Sequence, residues 1–276
     1  MPLRVLAVAS EAVPLVKTGG LADVVGALPA ALAPHGIATT TLLPGYPAVM
    51  AAIGKAAARA KAVQAWDKLL GEPARLLAAS VAGRDLLVLD APAYFARPGN
   101  IYTDGTGQDW GDNWRRFAAL GRVAADIAGG AAEGLAFDLL HAHDWQAAMA
   151  IAYLRLAPYH AAPRVPAVMT IHNMAFQGWY DPRIFASLEL PAGAWSIDGV
   201  ESYGGVGFLK AGLQLADIIT TVSPTYAREI VRPEFGMGLE GLIAARGNQV
   251  RGIVNGIDTA DWNPETDPAL PARYTA

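Results

Sequence analysis

Short apolar runs alternate with stretches of helical periodicity along most of the chain. This alternation limits the fold more than any other feature. Residues 3–9 form a nearly continuous apolar run, as expected of a strand buried on both faces. Leu21, Val24, Val25, Leu28 and Leu32 follow at intervals of three and four, the spacing of a helix with one apolar face. Pro29 falls inside that pattern and marks a point of kinking or early termination. Residues 39–43 read as a second strand, stopped by Pro44-Gly45. The Ala-rich stretch 50–65 is assigned to helix on propensity alone. Residues 75–81 and 85–89 read as a hairpin across Ala82-Gly83-Arg84. Residues 92–108 read as a long loop, of a length often tied to function.

Further along, helices are expected at 112–128, 145–156, 207–215, 224–231 and 239–245, with Ser223 capping the fourth. Strands are expected at 137–142, 165–171, 218–222 and 250–254. Strand-helix alternation of this kind predicts an α/β fold: a Rossmann-like, mainly parallel sheet with helices on both faces. Ligands bind such sheets beyond the carboxyl ends of the strands.

Composition removes several classes of function. At 276 residues and 53% hydrophobic, the chain has enough apolar material for one large or two small domains. A net charge of -4 argues against nucleic acid as a partner. With 0 cysteines, a disulfide framework, a thiolate metal site and a Cys nucleophile are excluded. Met1-Pro2 leads straight into the first apolar run without a basic leader, and no apolar window is long enough to span a bilayer. The resulting expectation is a soluble cytoplasmic protein without a membrane partner.

The strand ends carry the chemistry. After the first strand comes Lys17-Thr18-Gly19-Gly20-Leu21-Ala22-Asp23, a flexible cation and two glycines at a helix start. That arrangement suits an anion, and it equally suits a tight turn with a solvated lysine. It is neither a P-loop nor a dinucleotide fingerprint. His141 and His143 stand two apart, so they share one strand face, and Asp144 follows. Two His and one Asp suggest a metal, but a catalytic metal needs at least three ligands and an open position and no partner cluster is evident, so no metal or other cofactor is expected. Asp144 is also placed to cap the next helix. His172-Asn173 can donate several hydrogen bonds to hydroxyls, or His172 can be a satisfied core residue. Asn255-Gly256 is a turn signal and a candidate ligand contact. No nucleophile elbow occurs.

Taken in order, these segments resemble the bacterial glycogen synthase and starch synthase family, which uses ADP-glucose. The matching residues run from Ser10-Glu11 through Asp23, then His141 to Trp145, Thr170 to Asn173 and Gln177-Gly178. They continue with Phe208 to Gly212, Ala216-Asp217, Thr221 to Glu229, Val254 to Asp258 and Trp262-Asn263-Pro264.

The resemblance implies a glycosyltransferase of the GT-B architecture, two Rossmann-like domains facing a cleft. The reaction implied is transfer of glucose from ADP-glucose to the non-reducing end of an α-1,4-glucan such as glycogen, with retention and without a metal. It implies that residues 1–262 are the N-terminal, acceptor-side catalytic domain and 263–276 the start of an interdomain linker. The C-terminal nucleotide-binding domain would be absent, and the fragment inactive alone. It also implies that His172 and Asp144 are catalytic. Lys17, Gly19, Gly20, Asp23, Asn173 and Asn255 would bind substrate. Tyr94 and Tyr102 are weaker candidates for glucan contact. A face built to meet a partner domain is expected to expose apolar side chains. The alternatives are a non-catalytic α-glucan-binding module and a GT-B transferase using another nucleotide sugar.

Overall fold

The computed structural model describes residues 2–57, 62–81, 83–157, 164–257, 259 and 262–275. Its strands are β1 (Leu3–Val8), β2 (Ile37–Pro44), β3 (Ala62–Leu69), β4 (Glu72–Val81), β5 (Arg84–Asp90), β6 (Leu139–His143) and β7 (Ala167–Ile171). They continue as β8 (Trp179–Tyr180), β9 (Glu201–Ser202), β10 (Gly205–Gly207), β11 (Ile218–Thr221) and β12 (Val250–Gly252). The α-helices are α1 (Gly20–Leu32), α2 (Pro47–Ala57), α3 (Pro92–Phe95), α4 (Asn113–Ala128), α5 (Asp144–Leu156), α6 (Phe208–Leu215), α7 (Pro224–Glu229), α8 (Pro233–Gly236) and α9 (Glu240–Ala245).

Nine strands form one sheet in the order β12-β11-β7-β6-β1-β2-β5-β4-β3, with helices on its faces. From β12 to β5 every neighbouring pair is parallel. The pairs β5–β4 and β4–β3 are antiparallel. The chain first builds outward from β1 toward β3, then returns to the other side of β1 with β6. Strand order therefore reverses between β1 and β6, where an open α/β sheet leaves a crevice at its carboxyl edge.

The apolar runs read from the sequence are the interior strands. Leu6, Val8, Leu42, Leu43, Leu140 and Ile171 are fully buried. Helix α5 is buried along nearly its whole length, from Asp144 to Tyr153, which is why its apolar residues cover all sides rather than one stripe. Close helix crossings depend on glycine. A Cβ on Gly121 of α4 would lie 2.7 Å from Ala150 N and Met149 C of α5.

Several expectations need correction. Helix α1 runs unbroken through Pro29 to Leu32. The helix assigned to 50–65 ends at Ala57; residues 58–61 lie outside the described residues, and Ala62 to Ala65 belong to β3. Pairing with β4, together with Trp66 against the core, outweighs the helix propensity of alanine there. Strand β12 stops at Gly252, and Val254 is exposed. The expected hairpin forms between β4 and β5, with Arg75 opposite Asp90 and Val81 opposite Arg84; Arg84, read as part of the turn, is instead the first paired residue of β5, and Ala82 lies outside the described residues. Ser223 caps α7 as expected, its hydroxyl accepting from Tyr226 N at 2.9 Å. The small sheet β8-β10-β9 has no counterpart in the sequence reading, because strands of two or three residues leave no periodic signal. No helix among the described residues is long and apolar enough to cross a membrane.

The α4–α5 crossing yields a test. Gly121→Val is expected to cost about 1–3 kcal/mol through overpacking. Gly193→Ala, where a Cβ meets nothing within 4 Å, should stay within about 0.5 kcal/mol. Urea denaturation of both variants measures the difference.

Candidate functional site

Three segments meet at the crevice: those that follow the ends of β1, β6 and β7. The first carries Glu11, which is 3% exposed and surrounded by donors. Glu11 Oε1 accepts from Thr18 Oγ1 at 2.8 Å and from Tyr102 Oη at 2.8 Å. Its Oε2 accepts from Thr18 N and, at 3.2 Å, from Gly19 N. A buried carboxylate is tolerable only when its lone pairs are used, and here both oxygens are. Glu11 thereby fixes the segment ahead of α1. It also takes the Gly19 amide that the sequence had offered to a ligand, so the free N–H groups of the helix start at Gly20. Cβ atoms on Gly19 and Gly20 would meet nothing within 4 Å, so open space borders this helix end.

Lys17 and Asp23 pair with each other at 2.7 Å, and both are more than half exposed. An ion pair in water contributes little, so Lys17 is free to turn toward an anion at small cost.

The segment called a loop at 92–108 is partly built. Residues 92–95 are the short helix α3, and Arg116 of α4, which is 1% exposed, ties α3 to Ile101 in the segment that follows. Arg116 Nε donates to Tyr94 O at 2.7 Å, and Nη1 donates to Ile101 O at 3.0 Å and Asn113 Oδ1 at 2.6 Å. Tyr94 is turned into the core, 2% exposed, with its hydroxyl donating to Leu69 O and Leu70 O at 2.8 and 2.9 Å. Burial pushes that phenol up to about 12. It offers no ring face to a sugar, which corrects the expected glucan contact. Tyr102 instead reaches the crevice, with its hydroxyl 2.7 Å from Ser10 Oγ and donating to Glu11. From Tyr102 a chain of rings leads inward to Phe117 and Trp145, with centroids 6.1 and 5.0 Å apart.

Trp145 follows Asp144, whose φ of 56° is left-handed, a region where Asp is better tolerated than most residues. Asp144 does not cap α5; the N-cap is His143, and α5 begins at Asp144 itself. The carboxylate reaches sideways to the next strand. Its Oδ1 accepts from His172 N at 2.7 Å, and the Asn173 main-chain N–H also bonds the carboxylate. Burial pushes its pKa up to about 7 against these two amides, and the charge of Glu11 adds to the rise.

Beside it lies a stack of three imidazoles. The His141 and His143 rings are 4.0 Å apart, and those of His143 and His172 5.4 Å. His143 Nδ1 is 3.1 Å from His172 Nε2, and His141 Nε2 is 2.6 Å from Thr170 Oγ1. Burial lowers His141 and His172 to about 4 and pushes His143 well below its usual value. All three are therefore neutral at pH 7. Among the described residues, no three His, Asp or Glu are grouped so as to hold a metal ion.

Asn173 is exposed, with its side-chain oxygen accepting from Ala175 N at 2.9 Å. Asn255 is exposed beyond β12, outside any helix or strand. The structure thus groups Asp144, His172 and Asn173 with Glu11 and Tyr102, while Lys17, Asp23 and the two glycines border the same β1 loop. The sequence reading gave no role to Glu11 or Arg116. The signals for Glu11 were its place just beyond an apolar strand and its membership of the Ser10 to Asp23 segment that matches the family. Arg116 had none, because the two carbonyls it holds lie 15 and 22 residues away.

On the far side of Trp145 the chain exposes large apolar groups. Phe176, Trp179, Tyr203 and Met237 are all more than half exposed. Their loops are tied by Gln177 Nε2 to Met237 O at 3.0 Å and Tyr203 Oη to Gly238 O at 2.6 Å.

Residues 4–245 match the family model for the starch synthase catalytic domain. The chain is 69% identical over 274 residues to a glycogen synthase of Novosphingobium aromaticivorans, and 56% identical over 274 residues to one of Rhizobium rhizogenes. In both cases it covers 99% of this chain and 56% of the relative, so the chain spans about half the length of the curated relatives it matches. Among solved structures, the catalytic domain of starch synthase IV from Arabidopsis thaliana, bound to ADP and acarbose, superposes with a TM-score of 0.79. The identity is 29%, covering 99% of this chain and 56% of that one.

Two expectations follow from the site. Glu11→Ala strands the amides of Thr18 and Gly19 and the hydroxyl of Tyr102. It should cost about 1–3 kcal/mol, with faster amide exchange at Thr18 and Gly19 in hydrogen-exchange measurements. The second concerns acid. The unfolded histidines take up protons near 6.5, whereas in the fold two of them wait until about 4 and His143 lies well below 6.5. Their stabilising contribution is complete above pH 6.5 and is lost as the pH falls. Asp144 acts oppositely: its contribution is complete below 3.8 and is lost as pH rises through about 7. Three imidazoles outweigh one carboxyl, so stability should fall as pH drops from 6.5 to 4. Urea midpoints across that range check the sign.

Proposed function

The chain belongs to the starch synthase catalytic-domain family, and we propose that it is the acceptor-side half of an ADP-glucose-dependent glycogen synthase. In this reading glucose passes from ADP-glucose to the non-reducing end of an α-1,4-glucan with retention of configuration. Residues 1–262 form the N-terminal catalytic domain, and 263–276 begin the linker to a nucleotide-binding domain. The reaction takes place in the cytoplasm.

The observation that carries the proposal is the meeting of Asp144, His172 and Glu11 at the point where strand order reverses. Charge develops on the departing diphosphate and on an oxocarbenium-like sugar. Catalysis then rests on positioning and on electrostatic stabilisation of the leaving group. Lys17, which gives up only an exposed ion pair to turn, meets the diphosphate side. Gly19 and Gly20 leave open space for phosphate and sugar beside the start of α1, and Asp23 parks the lysine between turnovers. The neutral His172 and neighbouring Asn173 hydrogen-bond sugar hydroxyls. Asp144 lines the sugar side of the cleft, where its pKa of about 7 limits how much negative charge it brings to the pocket. Tyr102 faces the glucan, and Asn255 approaches from the last strand.

Half a cleft binds a nucleotide sugar poorly when the partner domain supplies most of the charge on the diphosphate. Activity therefore depends on a second domain. The exposed Phe176, Trp179, Tyr203 and Met237 support an apolar face that such a domain, or the glucan, covers.

The test is incorporation of labelled glucose from ADP-glucose into glycogen. The chain alone should be inactive, and adding a separately produced C-terminal half of a relative should restore turnover. In the reconstituted enzyme Lys17→Ala and His172→Ala should each lower kcat by about 100-fold with the circular dichroism spectrum unchanged. Wild-type turnover in both variants would remove those assignments. Glycogen retention with no turnover under any pairing would leave a binding module.

A further inference from the structure

His143 and His172 stand at the ends of adjacent strands, with His143 Nδ1 3.1 Å from His172 Nε2. Between two neutral imidazoles such a contact needs one N–H and one lone pair. Only two arrangements satisfy it. In the first, His143 donates from Nδ1, and His172 must then carry its own proton on Nδ1. In the second, His172 donates from Nε2, and His143 must carry its proton on Nε2.

The surroundings of His143 separate the two. Its ring is 0% exposed, and its Nε2 has no hydrogen-bond partner among the described residues. The second arrangement would strand an N–H there, whereas the first leaves only a lone pair. An orphaned buried N–H is the rarer defect in folded proteins. Burial keeps both rings neutral at pH 7, so a shared imidazolium proton does not blur the choice. The far nitrogen of His172, Nδ1, is not engaged by any described residue and is not among the buried unpaired atoms, so it remains open to a ligand.

We infer that His143 is a positioning residue that locks His172 in the Nδ1–H form, so that His172 meets its ligand as a hydrogen-bond donor to an oxygen such as a sugar hydroxyl, and not as a base. The adjacent Asp144 supports this from the other side. Its carboxylate holds the His172 main-chain N–H, so consecutive residues fix the backbone and the ring of one histidine. The consequence for ligand rests on the proposed function; the tautomer does not.

Two-bond 1H–15N spectra of the full chain labelled with 15N-histidine, taken at pH 7, read the tautomer directly. Wild type should show the proton of His172 on Nδ1 and a bare Nε2. His143→Phe keeps a ring in the stack but removes both nitrogens, and the proton should shift to Nε2, the form favoured by free imidazole. His143→Asn places an amide N–H near the lost Nδ1–H and should restore the Nδ1–H form. A wild-type His172 protonated on Nε2 overturns the inference, as does a folded Phe variant that keeps Nδ1–H. Should the Phe variant fail to fold, the wild-type spectrum and the Asn variant decide. Failure of glucose transfer with the Nδ1–H form intact would count against the function alone.

Discussion

The reversal of strand order at β1 is the constraint from which the site follows. With β2 on one side of β1 and β6 on the other, the connections leaving β1 and β6 part company and leave a crevice at their carboxyl ends. Glu11 stands three residues beyond β1, His143 is the last residue of β6, and His172 is the first after β7. None is near another in sequence, yet each is a strand-end residue on adjacent strands of one parallel sheet. Parallel pairing sets their spacing, since His143 lies in register with Thr170, two residues before His172.

Burial then decides the chemistry of these groups. Charge is costly away from water, so each side chain either uses its hydrogen-bonding capacity fully or shifts toward its neutral form. Glu11 follows the first course, collecting amides and hydroxyls from the β1 loop and from Tyr102. The three imidazoles follow the second and remain uncharged. Asp144 sits between, with two amides favouring its anion and burial opposing it, so its pKa is carried close to neutrality. Arg116 carries the opposite sign and is also lowered by burial, and in donating to Tyr94 O and Ile101 O it shapes the segment that delivers Tyr102 to Glu11.

The legibility of the sequence varied with the range of the contacts involved. Strands β1, β2, β6 and β7 were visible because a buried strand shows as a short apolar run, and helices α1 and α4 because an amphipathic helix writes its own period into the chain. Asp144 and His172 were visible because they stand next to those strands. Tyr94 and Tyr102 looked alike, two tyrosines in one polar segment, and only one faces the crevice. The choice is made by Arg116, which reaches across 22 and 15 residues. Ala62 to Ala65 misled for a similar reason: alanine favours helix locally, and pairing with β4 settles the matter from outside the segment.

The sequence by itself determined the α/β alternation, the parallel sheet, the family and the places along the chain where chemistry could stand, since all of these are carried by local period and ordered motifs. Only the tertiary structure decided what those residues do to one another. It turned Asp144 from a helix cap into the clamp on His172, set Glu11 on the Gly19 amide, buried Tyr94 and faced His143 toward His172. The physical reason is that hydrogen bonds and desolvation act between strand ends distant in sequence, and no local pattern records which of them the sheet will bring together.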